Sequence, residues 1–267
     1  MPELPDVEVY RRYLNATALH QAIAHTSTED ASILSGISPQ GLGRALAHRS
    51  FESTGRHGKY LLIALQRGGW LVLHFGMTGT LKYFRNGGEA PRYTRALFSF
   101  DNGFNLAYAA PRRLGSIRLV DSPKELVKSQ RLGPDALDVT LDQLRKLAAG
   151  RRGAVKSWLM DQQAMAGIGN VYSDEILFQA RIHPRTLVSR LDGGALKRLH
   201  ATLRKVLETA IAAQAEPARM PAGFLLPHRS PGGACPRCGE SLETLRSGGR
   251  TAWYCPACQG ARPDRTA

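Results

Sequence analysis

The sequence predicts an α+β chain of several domains. A strand-rich N-terminal part carries a flanking helix, a helical middle follows, and a small four-cysteine module closes the chain. Three observations carry this reading: short apolar runs separated by glycine turns between about 41 and 120, a change to helical spacing after about 123, and the confinement of all four cysteines beyond position 234. Residues 5–20 read as the flanking helix, with Pro5 suited to an early helical position and Val7, Tyr10, Leu14 and Ala18 at helical intervals. The strand candidates are Tyr60–Leu65, Trp70–Phe75, Thr80–Phe84, Ala96–Phe100, Phe104–Tyr108 and Ser116–Val120, divided by Arg67-Gly68-Gly69, Asn86-Gly87-Gly88 and Asp101-Asn102-Gly103. Such a meander is most simply a β-sandwich or barrel. Helical periodicity follows, in Leu141, Leu144 and Leu147 and then in Leu196, Leu199, Leu203 and Leu207. The expected divisions are 1–122 for the sandwich, 123–216 for the helical domain, 217–233 for a Pro/Gly/Arg-rich linker and 234–262 for the cysteine module.

The cysteines stand as Cys235, Cys238, Cys255 and Cys258, two CxxC pairs with sixteen residues between them. Each pair turns two sulfurs toward one point, and the insert is long enough for a hairpin turning at Ser247-Gly248-Gly249. This pattern predicts one structural Zn2+. Two disulfides are the competing reading, disfavoured for a chain with no visible secretory signal. Arg250 follows the turn and is placed to project from the hairpin tip.

Lys plus Arg number 36 against 22 for Asp plus Glu, a formal charge of +14. That imbalance favours a polyanionic partner over a neutral one. The 43% hydrophobic content excludes a disordered chain. No unbroken apolar segment is long enough to span a bilayer, so nucleic acid is expected rather than membrane, and the expected location is cytoplasmic.

The chain opens Met1-Pro2-Glu3-Leu4-Pro5-Asp6. Removal of Met1 would leave Pro2 with a secondary α-amine, whose reference pKa of roughly 7.7–8.0, against roughly 10.4 for lysine, keeps far more of it neutral and nucleophilic near pH 7 than a lysine. Attack on a sugar C1′ would give an iminium that cannot be discharged by losing a proton from nitrogen. Glu3 is placed for the associated proton transfers. Pro2 alone is weak evidence, since many chains begin with Met-Pro. Between the helices, Gly167-Ile168-Gly169-Asn170 allows close backbone approach, and Asn170 opens a helix whose N-terminus suits a phosphate. It is not a dinucleotide fingerprint, because the third glycine is missing and a helix precedes it. Taken alone, it reads as an ordinary helical corner.

These pieces occur together in one family. The chain resembles the formamidopyrimidine-DNA glycosylase and endonuclease VIII family of bacterial base-excision repair enzymes over nearly its whole length. The resemblance runs through Met1–Pro5, Gly55–Leu61, His74-Phe75-Gly76-Met77-Thr78-Gly79 and Pro111-Arg112-Arg113-Leu114-Gly115. It continues through Lys156–Asp161, Gly169–Glu175, Gly249-Arg250-Thr251 and Cys255–Cys258. The opening and the segment 74–79 resemble the formamidopyrimidine branch more closely.

The resemblance implies a helix–two-turn–helix motif in the helical domain and damaged double-stranded DNA as the partner of a monomeric enzyme. It implies Pro2 as nucleophile, Glu3 in proton transfer and Lys59 on a phosphate flanking the lesion. Asn170 and Arg250 would grip the same backbone, with Lys156 among the DNA-binding positions of the helical motif. Met77, Arg112 and Leu114 would fill the space left by an extruded nucleotide. The implied reaction is base excision followed by β,δ-elimination.

The chain departs from the family pattern at three places. Asp6 stands where Glu is usual, Leu114 where Phe is usual, and residues 214–234 are short and proline-rich where a longer loop normally covers the flipped base. The resemblance therefore leaves open an endonuclease VIII-like activity on oxidised pyrimidines or abasic sites. A non-catalytic binder of damaged DNA is the alternative from another class. A zinc-ribbon RNA or transcription factor would account for the cysteines and charge but not for Pro2 and Glu3.

Overall fold

A computed structural model describes residues 1–260. Residues 261 and 262 of the expected cysteine module lie outside the described residues. The chain divides into two compact units, Met1–Gln130 and the part from Arg131 onward.

The first unit is a β-sandwich. Helix α1 (Leu4–Thr17) precedes β1 (Ile23–Thr28), α2 (Pro39–Leu46), β2 (Phe51–His57), β3 (Tyr60–Leu65), β4 (Trp70–His74), β5 (Thr80–Arg85), β6 (Thr94–Phe100), β7 (Phe104–Ala109), β8 (Ser116–Val120) and α3 (Pro123–Ser129). One antiparallel sheet has the order β1-β6-β7-β5 and the other β2-β3-β4-β8. Ile23, Phe98 and Leu106 of the first pack against Phe51, Leu61, Ile63, Leu71 and Leu73 of the second, with Val7 and Leu14 of α1 in the same cluster. The outer face of the second sheet is apolar too, because Leu62, Val72 and Val120 lie under Leu126 of α3. Burial on both faces explains why β3 and β4 read as continuous apolar runs rather than alternating ones. It also places α3 in the first unit, so the division falls after Gln130 and not at 122.

The second unit holds α4 (Leu141–Ala148), α5 (Val155–Met160), α6 (Asn170–Ala180), α7 (Gly193–Ala212) and the hairpin of β9 (Glu243–Ser247) and β10 (Arg250–Tyr254). Helices α5 and α6 are joined by two tight turns tied by one side chain. Gln162 Nε2 donates to Met160 O at 2.8 Å and Ile168 O at 2.7 Å, while its Oε1 accepts from Gly167 N at 3.0 Å. Helix α6 is buried on nearly every side, including Ser173, Asp174 and Glu175. The hairpin turns at Gly248-Gly249, both left-handed with φ of +57° and +73°, as a two-residue hairpin turn requires. Residues 217–233 are not a free linker: Phe224 and Leu225 are buried, and Leu225 shares a cluster with Phe178, Leu242 and Cys255. Among the described residues, no helix is long and apolar enough to cross a membrane.

Candidate active site and nucleic-acid interface

Helix α1 organises the first unit's candidate site residues. Glu3 is the N-cap residue and forms a capping box with Asp6, whose Oδ2 accepts the Glu3 N–H at 2.9 Å. The shorter Asp6 side chain thus turns back on the helix start. Burial is the main cause pushing its carboxyl up to about 6, and the Glu3 charge adds to it. Glu3 is itself almost fully enclosed at 1% exposure, while Pro2 is half-buried. One turn further, Glu8 Oε2 lies 3.5 Å from Arg56 Nε, and Arg56 Nη1 donates to Gly58 O at 3.1 Å. This chain of contacts ties the first turns of α1 to the β2–β3 turn, Gly58-Lys59, in which Gly58 has φ +55°. Lys59 is therefore carried on a tight turn fastened to the helix that bears Pro2 and Glu3.

Two loops form the second cluster. Tyr10 of α1 donates to Gly79 O at 3.2 Å and packs on Phe75 at a ring separation of 4.5 Å, fixing the 76–79 turn. Gly76 has φ +57°, and a Cβ there would stand 2.3 Å from Leu114 C and 2.4 Å from Leu114 O. A Cβ on Gly115 would fall 1.7 Å from Tyr108 Oη. Glycine at 76 lets the 76–79 turn and the 111–115 loop meet backbone to backbone, and glycine at 115 makes room for the Tyr108 hydroxyl. Met77, Arg112 and Leu114 are consequently brought together: Arg112 Nη1 lies 3.6 Å from Met77 Sδ, and Leu114 is 57% exposed. Arg113, by contrast, is engaged by Asp30 at 2.9 Å. Beneath the turn, burial beside Lys59 and Arg118 pulls His74 down to about 4. The ring is therefore neutral at physiological pH, and its Nδ1 accepts from Gly76 N at 3.3 Å.

In the second unit Asn170 begins α6 after Gly169, which supplies no side-chain cap, and Arg250 is exposed at the first position of β10. Lys156 corrects the expectation from sequence. It is 0% exposed, and its Nζ donates to Asp174 Oδ1 at 2.7 Å, Ser173 Oγ at 2.8 Å and Asn170 O at 3.1 Å. An ammonium has three protons to donate, so this lysine is committed inside the protein and cannot reach a phosphate. Glu175 is likewise internal. Burial pushes its carboxyl up, and it accepts from Leu225 N at 3.1 Å and Leu226 N at 2.8 Å. Asp174 and Arg229 went unrecognised at the sequence level. The available signal was an acidic pair inside an otherwise apolar helix.

The four thiol sulfurs lie within 4.8 Å of one another, with Cys235–Cys258 at 3.8 Å and Cys238–Cys255 at 3.5 Å. Tetrahedral Zn2+ with bonds of about 2.3 Å separates its sulfurs by about 3.8 Å, so the cluster fits the ion. The four cysteines form the site of one structural zinc.

The fold and sites define a β-sandwich unit with a Pro2-Glu3 pair before its first helix and a Met77–Arg112–Leu114 cluster on two loops, and a zinc-stapled helix–two-turn–helix unit. The formamidopyrimidine-DNA glycosylase N-terminal domain family matches residues 1–117, the H2TH domain of the same enzyme matches 132–221, and the zinc finger found in FPG and IleRS matches 232–260. The formamidopyrimidine-DNA glycosylase of Pelotomaculum thermopropionicum is 34% identical over 97% of this chain and 99% of its own length. That of Moorella thermoacetica is 36% identical over 92% and 95%. A Lactococcus lactis FPG mutant, solved with a Fapy-dG containing DNA, superposes with a TM-score of 0.88 at 25% identity over 97% of this chain and 99% of that one. The chain belongs to the formamidopyrimidine-DNA glycosylase family.

Proposed function

We propose that the protein is a bifunctional DNA glycosylase and abasic-site lyase that excises oxidised bases from double-stranded DNA. The observation that carries this reading is α1, which joins Pro2 and Glu3 to the turn bearing Lys59 and to the Met77 turn in a chain of the family. In the proposed reaction Pro2 N attacks C1′ and the C1′–base bond breaks, the base leaving with a proton. The amine and the opened sugar form an iminium, with Glu3 transferring protons at the ring. The iminium withdraws electrons, so a proton leaves C2′ and the 3′ C–O bond breaks. A second elimination cuts the 5′ side, and hydrolysis frees Pro2.

Lys59, Asn170 and Arg250 contact backbone phosphates, which offsets the cost of roughly a few kcal/mol for extruding the nucleotide. Met77, Arg112 and Leu114 occupy the vacated space. In this reading Pro2, Glu3, Lys59 and the Met77–Arg112–Leu114 cluster act from the first unit, and Asn170 and Arg250 act from the second. The enzyme acts as a monomer in the cytoplasm.

A second reading concerns the lesion. The segment that would cover a flipped base is pinned by Glu175 at Leu225 and Leu226 and by burial of Phe224 and Leu225. A fastened segment favours lesions that need no mobile cover, namely oxidised pyrimidines and abasic sites. Denaturing gels of duplexes bearing 8-oxoguanine, formamidopyrimidine, thymine glycol, uracil or an abasic site test both. Cleavage of the first two supports the purine reading, and cleavage of thymine glycol and abasic duplexes alone supports the second. Tight binding with no cleavage of any leaves a damaged-DNA binder.

A further inference from the structure

We propose that Asp174 is the positioning residue that sets the spacing of the second unit's two phosphate-contacting side chains, Asn170 and Arg250. This rests on the reading above, in which those residues hold the lesion-flanking backbone. The carboxylate is fully buried and its two oxygens serve different segments. Oδ1 accepts from Lys156 Nζ at 2.7 Å, and the same ammonium donates to the carbonyl of Asn170 at 3.1 Å. Oδ2 accepts from Arg229 Nη2 at 2.8 Å and Nε at 3.2 Å, and from the backbone N–H of Trp253 at 3.2 Å. Trp253 lies in β10, the strand that Arg250 opens.

A second fastening holds the hairpin's other end. Ser157, next to Lys156, lies 3.3 Å from Ser247 Oγ, and a Cβ on Gly248 would stand 2.8 Å from Ser157 Oγ. The hairpin is thus held at its turn by α5 and along β10 by Asp174, while Asp174 holds the start of α6 through Lys156. Asn170 Oδ1 is buried without a partner among the described residues, so its side chain is placed by the backbone that Lys156 anchors. Two cations share one carboxylate, and burial makes the arrangement sensitive to loss of any member.

The test is equilibrium binding to a duplex containing a tetrahydrofuran abasic analogue across a salt series, with zinc content and thermal unfolding measured in parallel. Arg250→Ala should lower the slope of log affinity against log salt by about one. Arg229→Gln leaves the Lys156–Asp174 pair intact and removes the guanidinium that shares Oδ2 with the Trp253 N–H, which loosens the carboxylate's hold on the hairpin. It should reproduce that loss of slope with zinc retained. Asp174→Asn should weaken binding further, and adding Arg250→Ala to it should change affinity by no more than about twofold, because the two act through one contact. A purely structural role would lower the melting temperature, leave the slope unchanged and give additive losses, and that result overturns the proposal. If Asp174→Asn does not fold, Arg229→Gln alone decides: an unchanged slope overturns the inference. If Arg250→Ala binds as the unaltered protein does, the phosphate-grip reading fails first and takes this inference with it.

Discussion

Replacing Gly76 with alanine should separate the Met77 turn from the loop carrying Arg112 and Leu114 while leaving the rest of the sandwich intact. Gly76 has φ +57°, and the added Cβ would stand 2.3 Å from Leu114 C, 2.4 Å from Leu114 O and 2.6 Å from Gly115 N. Ordinary Cβ contacts begin near 3.4 Å, so the 111–115 backbone must retreat by about 1 Å. All three obstructing atoms are backbone, so no rotamer change relieves the clash. The left-handed conformation costs about 1–2 kcal/mol for a residue with a Cβ, and overpacking adds about 1–3 kcal/mol. The expected destabilisation is therefore about 2–5 kcal/mol, read from urea unfolding.

Gly103→Ala is the control. Gly103 has φ +78° with nothing within 4 Å of its Cβ position, so it should show the backbone cost alone, about 1–2 kcal/mol. Because the displaced loop carries Arg112 and Leu114, cleavage of an abasic duplex by Gly76→Ala should fall on the order of 100-fold, the scale of a 1 Å misplacement. Cleavage by Gly103→Ala should be unchanged. Equal stability losses and equal activities in the two variants would refute the claim that these loops are locked backbone to backbone.

The other predictions concern metal and pH. Chelation of the zinc should release the Leu242, Leu225 and Phe178 cluster, unfold the hairpin and abolish lesion-strand cleavage, with circular dichroism and activity lost together. The raised Asp6 carboxyl means that the folded chain keeps a proton that the unfolded chain has already released. Its contribution to stability is full below about pH 4, the unfolded value, and is lost as pH rises through about 6. The loss should be about 2 kcal/mol after solvent screening of this half-buried group, and Asp6→Asn should flatten that part of the pH–stability curve.

Most strands were legible because glycine turns delimit them: Tyr60–Leu65 and Ser116–Val120 coincide with β3 and β8. Strand β1 was not legible. Its residues Ile23–Thr28 show no alternation, and only Ile23 is buried, because this edge strand is held by pairing to β6. Helix α2 was hidden by Gly41 and Gly43, which suppress helical propensity, and it is started instead by Ser38 accepting from Gly41 N. The turn carrying Met77 was legible through its flanking Gly76 and Gly79. Lys156 was expected at a DNA-binding position because the resemblance to the family placed it there, yet it is buried. Its partner Asp174 lies 18 positions away, and Arg229 lies 55 beyond that. Such pairings are set by packing and leave no local pattern. The same holds for residues 217–233, where composition suggested a linker while Glu175 and the zinc cluster fasten the segment.

The proposed chemistry requires a covalent bond between the nitrogen of Pro2 and the sugar. Protein whose intact mass confirms removal of Met1 should be incubated with an abasic-site duplex and sodium borohydride, digested, and sequenced by mass spectrometry. A reduced adduct on the nitrogen of Pro2 is expected, with the yield sharply lower in Pro2→Gly. An adduct confined to a lysine, or none from protein with a free Pro2, would contradict it.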